Sequence, residues 1–461
     1  MGQLVRFHTP QLQKLHSGKV RDSYRAPGGR RLLAVTDRLS AFDRVLETPI
    51  VDKGRVLNRI AAFWFERTRD IVENHFHERV GEHLSLVEEC VPLKVEVIVR
   101  AAVAGSLWRA YSSGRRELSG VLLPDGLTEN ALLATPIVTP TTKEDSDREI
   151  SAMELVAAGL VAQDVWDRVH DVALRLFERG REILAEKGLL LADTKYEFGL
   201  LDGRLLLIDE IHTPASSRFW DQASYASDPA RVEPLDKELV RKHLLAEKVR
   251  LGHYPTHLPP AVALETAARY REIHRRVVGQ DLPPMVDGEE ETYAALVAAG
   301  LIKPGFVAIV MGSTGDHEHC ELLAKGIRAR GVFAEMRVAS AHKNGEVLPA
   351  LVADYDPAIE PGAIIAVAGL SNGLGGALAA NTALPVINCP PFQDRTDVST
   401  NVASSLMMPS NVPAATVLRP DNAVQAAVRA LNVRSLKVGI RGALAQQKDD
   451  LVRADREWRQ R

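Results

Sequence analysis

Beyond residue 305 five short apolar runs, FVAIVMG, VFAEMRV, AIIAVAG, LPVINC and AATVL, alternate with stretches of helical spacing. Runs this apolar read as strands buried on both faces, and strands separated by helices lie parallel because each return passes through a crossover. The second half is therefore expected to be an α/β domain of three layers built on a parallel, doubly wound sheet. In an open sheet of this kind the carboxyl ends of the strands share one edge. The loops MGSTGDHEHC at 311–320, SAHKNG at 340–345 and AGLSNGLGG at 368–376 are expected to converge there.

The first half has a different texture. RLLAVT at 31–36 and LKVEVIVR at 93–100 read as strands between turns, and Val56 to Val72, with Phe63, Trp64 and Phe65 among charged residues, reads as an amphipathic helix. Helical spacing returns from Ser151 to Lys187, with Gly188 as its stop, and again from Leu235 to about Gly279. The turn-rich segment 281–288 marks the change of pattern. The expected division is an α+β domain over 1–282, a linker over 283–304, and the α/β domain over 305–461 with a charged helical tail.

A chain of 461 residues exceeds what one hydrophobic core serves, in keeping with two domains. The net charge of -3, with both signs interspersed, leaves no broad footprint for nucleic acid or an anionic membrane. Cys90, Cys320 and Cys389 lie far apart without metal-ligand spacing, which fits a reducing cytoplasm. The start MGQLVRFHTP lacks an apolar signal core, and Arg6 stands where myristoylation wants Ser or Thr. The apolar windows are shorter than the roughly 20 residues a spanning helix needs. Export, lipidation and membrane insertion are not expected.

Chemistry concentrates in a few strings. DTKYEFG at 193–199 and DEIHTPASSRFW at 209–220 flank the turn signal Asp202-Gly203-Arg204, so Glu197 and Asp209 stand on the two arms of a hairpin. Side chains alternate, and the two acids share a face only if the loop holds an odd number of residues. Facing carboxylates at a strand end suit a hard cation such as Mg2+; the plainer alternative is a solvated hairpin with scattered acids. HSGKVRDSY at 16–24 places Lys19 and Arg21 on one face of an extended segment, able to lie over a triphosphate or simply to be solvated. In TDRLSAFDRV at 36–45, Ser40 is placed for phosphate, while Asp43 is equally a helix cap. In KVEVIVRAAVAGSLW at 94–108, Arg100 and Ser106 are spaced to clamp a carboxylate, or to make a surface ion pair.

Taken together, these strings make residues 10 to 280 resemble the phosphoribosylaminoimidazole-succinocarboxamide synthetase family of purine-pathway ligases. The resemblance implies an α+β ATP-binding fold in which Glu197 and Asp209 handle magnesium with ATP. Lys19 and Arg21 then face the triphosphate. Ser40 and Arg218 meet the ribonucleotide, Arg218 at its phosphate, and Glu96, Arg100 and Ser106 line the carboxylate and L-aspartate region. Lys19, Arg100 and Arg218 count among the catalytic set by the same carry-over. Where the family carries Asp before its Ser-Arg element, this chain has Ala215.

In the second half Gly312 and Ser313 follow a strand and open a helix, where free N–H groups suit a phosphate, or where the glycine simply makes the turn. His342, beside Lys343, is placed to move a proton near neutral pH, or is an ordinary surface histidine of the loop; His317 and His319 are taken as surface residues. With GSTGD, SAHK and AGLSNGLG as landmarks, the region from about 305 to 430 resembles the carboxylase that acts on 5-aminoimidazole ribonucleotide. Its forms are similar to the class that uses carbon dioxide directly, with a flavodoxin-like sheet. The resemblance implies that Asp316 holds ribose hydroxyls, Ser313 and Lys343 the phosphate, and His342 the proton at the ring carbon. The loop Ser371-Asn372-Gly373 then closes over the imidazole. Gly315 replaces a Ser common in this loop.

Consecutive steps in one chain imply a bifunctional, cytoplasmic enzyme of small-molecule substrates and an assembly, by family resemblance an octamer, built on the carboxylase domains. Two alternatives stand beside it: a ligase fused to a non-catalytic nucleotide-binding assembly module, and a dinucleotide-binding reductase module. Against the latter, no G-x-G-x-x-G follows FVAIVMG.

Overall fold

The structure is a computed structural model that describes residues 2–42, 44–144, 148–232, 235–392 and 395–460. Asp43, named above as a helix cap, lies outside the described residues. The chain forms two compact units, one of Met1–Arg6 with Lys14–Thr292 and the other of Phe7–Gln13 with Tyr293–Arg461. The segment 283–304, expected as a linker, contains the helix Gly288–Ala298, and the division falls within that helix.

Among the described residues, two large sheets, beside two of only two strands each, build the first unit. One is antiparallel, in the order Lys14–Ser17, Arg21–Arg25, Arg30–Val35, Leu84–Glu88, Phe76–Arg79. The other runs Leu132–Thr142, Val91–Ala102, Leu189–Leu201, Arg204–Ile208, Glu73–Asn74, and Ser217–Asp221 also pairs with Leu189–Leu201. Period-two alternation gives this second sheet its two faces. Val95, Val97, Val99, Tyr196 and Phe198 are fully buried in one core with Val169, Ala173, Leu176 and Phe177 of the helix Gln163–Ala185. Each valine, leucine and phenylalanine among them contributes about 1.5–3 kcal/mol by leaving water. The intervening positions, Glu96, Arg100, Asp193, Lys195 and Glu197, form a polar stripe on the opposite face, with Glu197 directly across from Glu96 and Asp193 from Arg100.

Two helices expected to be continuous are broken. The first divides into Ala152–Ala157 and Gln163–Ala185 around Gly159, whose φ of 66° ends the first turn run. The second divides into Glu238–Leu251 and Pro260–Val278, with Gly252 at φ 80° as the stop and Pro260 as the restart. Left-handed glycine ends a helix without disturbing apolar spacing on either side, so periodicity alone reads through it. The helix with Phe63, Trp64 and Phe65 spans Lys53–Arg67, three residues earlier at its start than expected.

The second unit is a five-stranded, all-parallel sheet in the order Phe333–Val338, Phe306–Met311, Gly362–Val367, Val386–Asn388, Ala415–Thr416. All six residues of Phe306–Met311 and of Gly362–Val367 are buried. Val307, Ile309 and Met311 enter one core with the helices His317–Arg328 and Pro420–Ala430, while Phe306, Ala308 and Val310 enter another with Leu348, Leu351, Leu374 and Leu378. That makes three layers, and the strand order 2-1-3-4-5 places the topological switch between Phe306–Met311 and Gly362–Val367. Residues 7–13 belong to this unit: the Thr9 hydroxyl donates to the Glu360 carboxylate at 2.5 Å. Among the described residues no helix is long and apolar enough to cross a membrane.

Candidate functional site

The hairpin turn holds two residues, Asp202 and Gly203, at φ 51° and 77°, between the paired Leu201 and Arg204. Asp-Gly suits this mirror-image turn, which matches the strand twist. Its even count would put Glu197 and Asp209 on opposite faces, because Glu197 pairs with Ile208. The acids meet by another route. The ladder ends at Ile208, and Asp209 takes a left-handed backbone, φ 66°, that leaves the pleat. Both side chains consequently line one cavity of about 610 Å³. Left-handed backbone at a non-glycine residue is costly, and such strain collects at sites that need a re-aimed side chain.

Cations surround the pair. Arg21 bridges Asp209 and Glu210, the latter at 2.6 Å, while Lys195 donates to Glu96 at 2.5 Å and to Glu197 at 2.8 Å, and Lys143 pairs with Glu197. Burial pushes the Asp209 carboxyl up, but Arg21 and then Lys195 outweigh it, and the group falls to about 2. Glu197 likewise ends below its ordinary value: burial and Asp209 raise it, and Lys195 and Lys143 more than compensate. Both acids are ionised at neutral pH. Lys19 lies in the connection between Lys14–Ser17 and Arg21–Arg25 and lines the same cavity. Arg38 supports that turn, donating to the carbonyls of Gly18 and Lys19 and to Asp22.

A second cavity, of about 360 Å³, is lined by Ser40, Glu96, Arg100, Ser106, Asp193 and Arg218 among others. Arg100 is held by the Thr139 hydroxyl at 2.9 Å and the Ser106 hydroxyl at 3.2 Å. Arg218 pairs with Asp193 and stands 3.4 Å from Glu238. A Cβ at residue 105 would lie 2.4 Å from the Arg218 guanidinium, so this place, at φ 57°, requires glycine. Ser40, Glu96, Lys195, Ala215 and Lys237 line both cavities, which are therefore contiguous. The whole is a trough with two ionised acids at one end and two guanidinium groups, suited to bidentate recognition of carboxylate or phosphate, at the other.

In the second unit the three strand-end loops meet. A Cβ at Gly373 would lie 3.4 Å from the His342 ring, and one at Gly312 would lie 3.2 Å from Ala368, so the second loop touches the third and the third touches the first. Ser313 caps the short helical turn Thr314–Asp316, its hydroxyl accepting from the Gly315 N–H at 3.2 Å. Asp316 is half-buried, and burial raises its carboxyl. His342 and Lys343 are exposed at the rim. Ser371 is exposed, whereas Asn372 is 3% exposed and donates to the Ser405 hydroxyl at 2.8 Å, so its side chain anchors the loop. His319 departs from the expectation of a surface residue: it is partly buried with its ring 3.4 Å from the Cys389 sulfur.

Sequence reasoning named the two acids but missed Asp193, Lys195, Lys143, Glu210, Lys53 and Lys237. A signal existed for two of them, because Asp193, Lys195 and Glu197 alternate along one strand and share its polar face. Lys143, from a distant strand end, carried none.

The family profile described as SAICAR synthetase matches residues 14–253, and that described as AIR carboxylase matches residues 306–453. The phosphoribosylaminoimidazole-succinocarboxamide synthase of Bacteroides thetaiotaomicron is 40% identical over 282 residues, 59% of this chain and 90% of that protein. The enzyme of the same description from Desulfosudis oleivorans is 39% identical over 297 residues, 60% of this chain and all of that one. Among solved structures, SAICAR-synthase from Saccharomyces cerevisiae complexed with SAICAR superposes with a TM-score of 0.54 at 31% identity, covering 61% of this chain and 100% of its own. The chain thus belongs to the SAICAR synthetase family and carries an AIR carboxylase domain behind it, which makes it a bifunctional lyase and ATP-dependent ligase of purine biosynthesis that carboxylates AIR and joins aspartate to the product.

Proposed function

We propose that the chemistries divide between the units, with ligation in residues 1–282, carboxylation in 305–461, and 283–304 connecting them. The observation that carries the ligase half is the trough joining the ionised pair Glu197 and Asp209 to Arg100 and Arg218. At its acid end Lys19 and Arg21 present positive charge to the triphosphate. Glu197 and Asp209 are the residues to hold magnesium. Among the described residues no cluster of three or more His, Cys, Asp or Glu is placed for a metal, and two carboxylates fit an ion that takes its remaining oxygens from phosphates and water. When bound, magnesium neutralises charge on those phosphates.

A carboxylate is a poor acyl donor at neutral pH. Transfer of the γ-phosphoryl group to it gives an acyl phosphate and ADP; the aspartate amine then attacks the acyl carbon, forming the C–N bond as the C–O bond breaks, with loss of phosphate and a proton. Arg218 and Ser40 hold the ribonucleotide while Arg100, Ser106 and Glu96 line the carboxylate and the incoming aspartate, so that reacting groups are oriented before the chemistry starts. In the second unit Gly312, Ser313 and Lys343 take the phosphate, Asp316 the ribose hydroxyls, and His342 the proton at the ring carbon, with Ser371-Asn372-Gly373 over the imidazole. SAHK and SNGLG favour direct use of carbon dioxide. An octamer built on the carboxylase unit and a cytoplasmic location complete the proposal.

Purified protein supplied with aminoimidazole ribonucleotide, bicarbonate buffer, ATP, magnesium and aspartate is expected to make the succinocarboxamide. Inactivity toward the substrates of both half-reactions overturns the proposal. Glu197→Ala is expected to lower ATP-dependent amide formation by about a hundredfold or more while sparing carboxylation. Loss of both activities together would contradict the division.

A further inference from the structure

In the second unit, the loop that follows the strand Gly362–Val367 holds one residue in a backbone it should avoid. Leu370 has φ 57°, a left-handed conformation that crowds Cβ against the following carbonyl and is costly for any residue but glycine. Packing does not compel it, because the side chain is 74% exposed. Gly373, three residues on, could take such a conformation without cost, yet it sits at φ -81°.

The strain is held from outside the loop. The helix Arg395–Leu406 sends Asn401, whose side-chain oxygen accepts the Leu370 N–H at 2.6 Å, and Ser404, whose hydroxyl donates to the Leu370 carbonyl at 2.7 Å. Both backbone polar groups of the strained residue are thereby taken by side chains one helical turn apart. The buried Asn401 amide donates in turn to the Pro391 carbonyl at 2.7 Å, past the strand Val386–Asn388, so two neighbouring strand-end segments are tied together. Ser404 also accepts the Asn372 N–H at 3.3 Å, and Ser405 accepts from the Asn372 amide. At its other end the loop meets His342, whose ring lies 3.4 Å from where a Cβ on Gly373 would stand.

We propose that Asn401 and Ser404 are positioning residues for the carboxylation, clamping Leu370 so that residues 368–373 keep the one arrangement that seats the loop against His342. The inference rests on carboxylation taking place at these strand-end loops. Strain of this kind persists only where the surroundings over-determine it, and it collects where a backbone must be aimed and not merely closed. A contact that only stabilised the fold would sit on relaxed backbone. Here two side-chain hydrogen bonds hold a conformation that leucine leaves when released, and its release redirects the Ser371 and Asn372 peptides that follow. Misplacement by about 1 Å of groups that orient a substrate costs on the order of a hundredfold in rate.

The test uses the full chain. Carboxylation of aminoimidazole ribonucleotide is followed in bicarbonate buffer without ATP or aspartate, and ligation is followed as ADP release from supplied carboxylated nucleotide. Asn401→Ala is expected to lower carboxylation kcat/KM about tenfold or more and to leave ligation within about twofold of wild type. Leu370→Gly shows what the clamp is for, because glycine takes the left-handed backbone freely: it is expected to keep carboxylation within about threefold of wild type, and in that background Asn401→Ala is expected to cost about threefold or less. Unchanged carboxylation in Asn401→Ala overturns the inference. An equal loss in both backgrounds does so too, since Asn401 then acts otherwise than through Leu370, as does a larger loss in Leu370→Gly alone, which assigns the role to the side chain. Wild-type protein that ligates but does not carboxylate refutes carboxylation at these loops, and the inference falls with it. Should Asn401→Ala fail to fold, Ser404→Ala, which removes a single hydroxyl, is carried through the same two backgrounds and decides by the same criteria.

Discussion

At the scale of single residues, the trough is governed by how burial and neighbouring charge divide its acids. Glu197, buried, and Asp209, half-buried, are held ionised by Arg21, Lys195 and Lys143. Asp236, also buried and lining the second cavity, goes the other way: burial lifts its carboxyl to about 6 against only partial help from Arg218. One carboxylate oxygen of Asp236 has no partner, and the other accepts the Glu238 N–H at 2.6 Å. An acid whose folded value is raised stabilises the fold at low pH and loses that contribution as pH rises from about 4 through about 6. Asp236→Asn keeps the accepting oxygen and removes the charge. It is expected to be more stable than wild type at pH 7, by on the order of 1–3 kcal/mol, with the gap closing as pH falls below about 4. Urea unfolding followed by tryptophan fluorescence at the two pH values checks both the sign and the window.

Elements set what those residues can reach. The polar stripe was legible in the sequence at Glu197 and at Arg100 because a strand's two-residue period is written in its side chains, as in the alternation of Val95, Val97 and Val99 with Glu96, Ile98 and Arg100. Ends and breaks were less legible. Gly159 and Gly252 interrupt helices whose apolar spacing continues on both sides. The Asp202-Gly203 turn was signalled, but its length was not, nor was the left-handed Asp209 that brings the acids together. Gly203 at φ 77° is expected to pay for any β-branched substitution: Gly203→Val should destabilise the ligase unit by roughly 1–2 kcal/mol. A shift in the unfolding midpoint of that unit, with carboxylase activity unchanged, is the outcome to look for. No shift would mean that the turn conformation is not required.

For the molecule as a whole, the five parallel strands of the second unit were readable one by one, since each is a short apolar run closed by a loop. Residues 7–13 were not assigned to it, because nothing local distinguishes a segment that packs more than three hundred residues away. The Thr9 hydroxyl and the Gln11 amide both donate to the Glu360 carboxylate, which is 3% exposed and whose pKa burial raises. Removing one partner of a buried carboxylate costs about 1–3 kcal/mol. Thr9→Ala is accordingly expected to lower the temperature at which carboxylase activity is lost by a few degrees while leaving heat loss of ligase activity in place. Parallel loss of both activities would show that these residues do not serve the second unit selectively.

Taken alone, the residue order determined the alternation of strands and helices, the buried and polar faces of each, and the family to which both halves belong, because pleat, helical turn and glycine stops are local geometry. Tertiary structure decided the rest. Asp209 reaches Glu197 only because the chain leaves the pleat in a left-handed conformation, Lys143 joins them from another strand, and Lys53 and Tyr270 come to the same cavity from helices far apart in sequence. Such meetings depend on how elements pack, and packing energy is shared among residues that no short stretch of sequence contains.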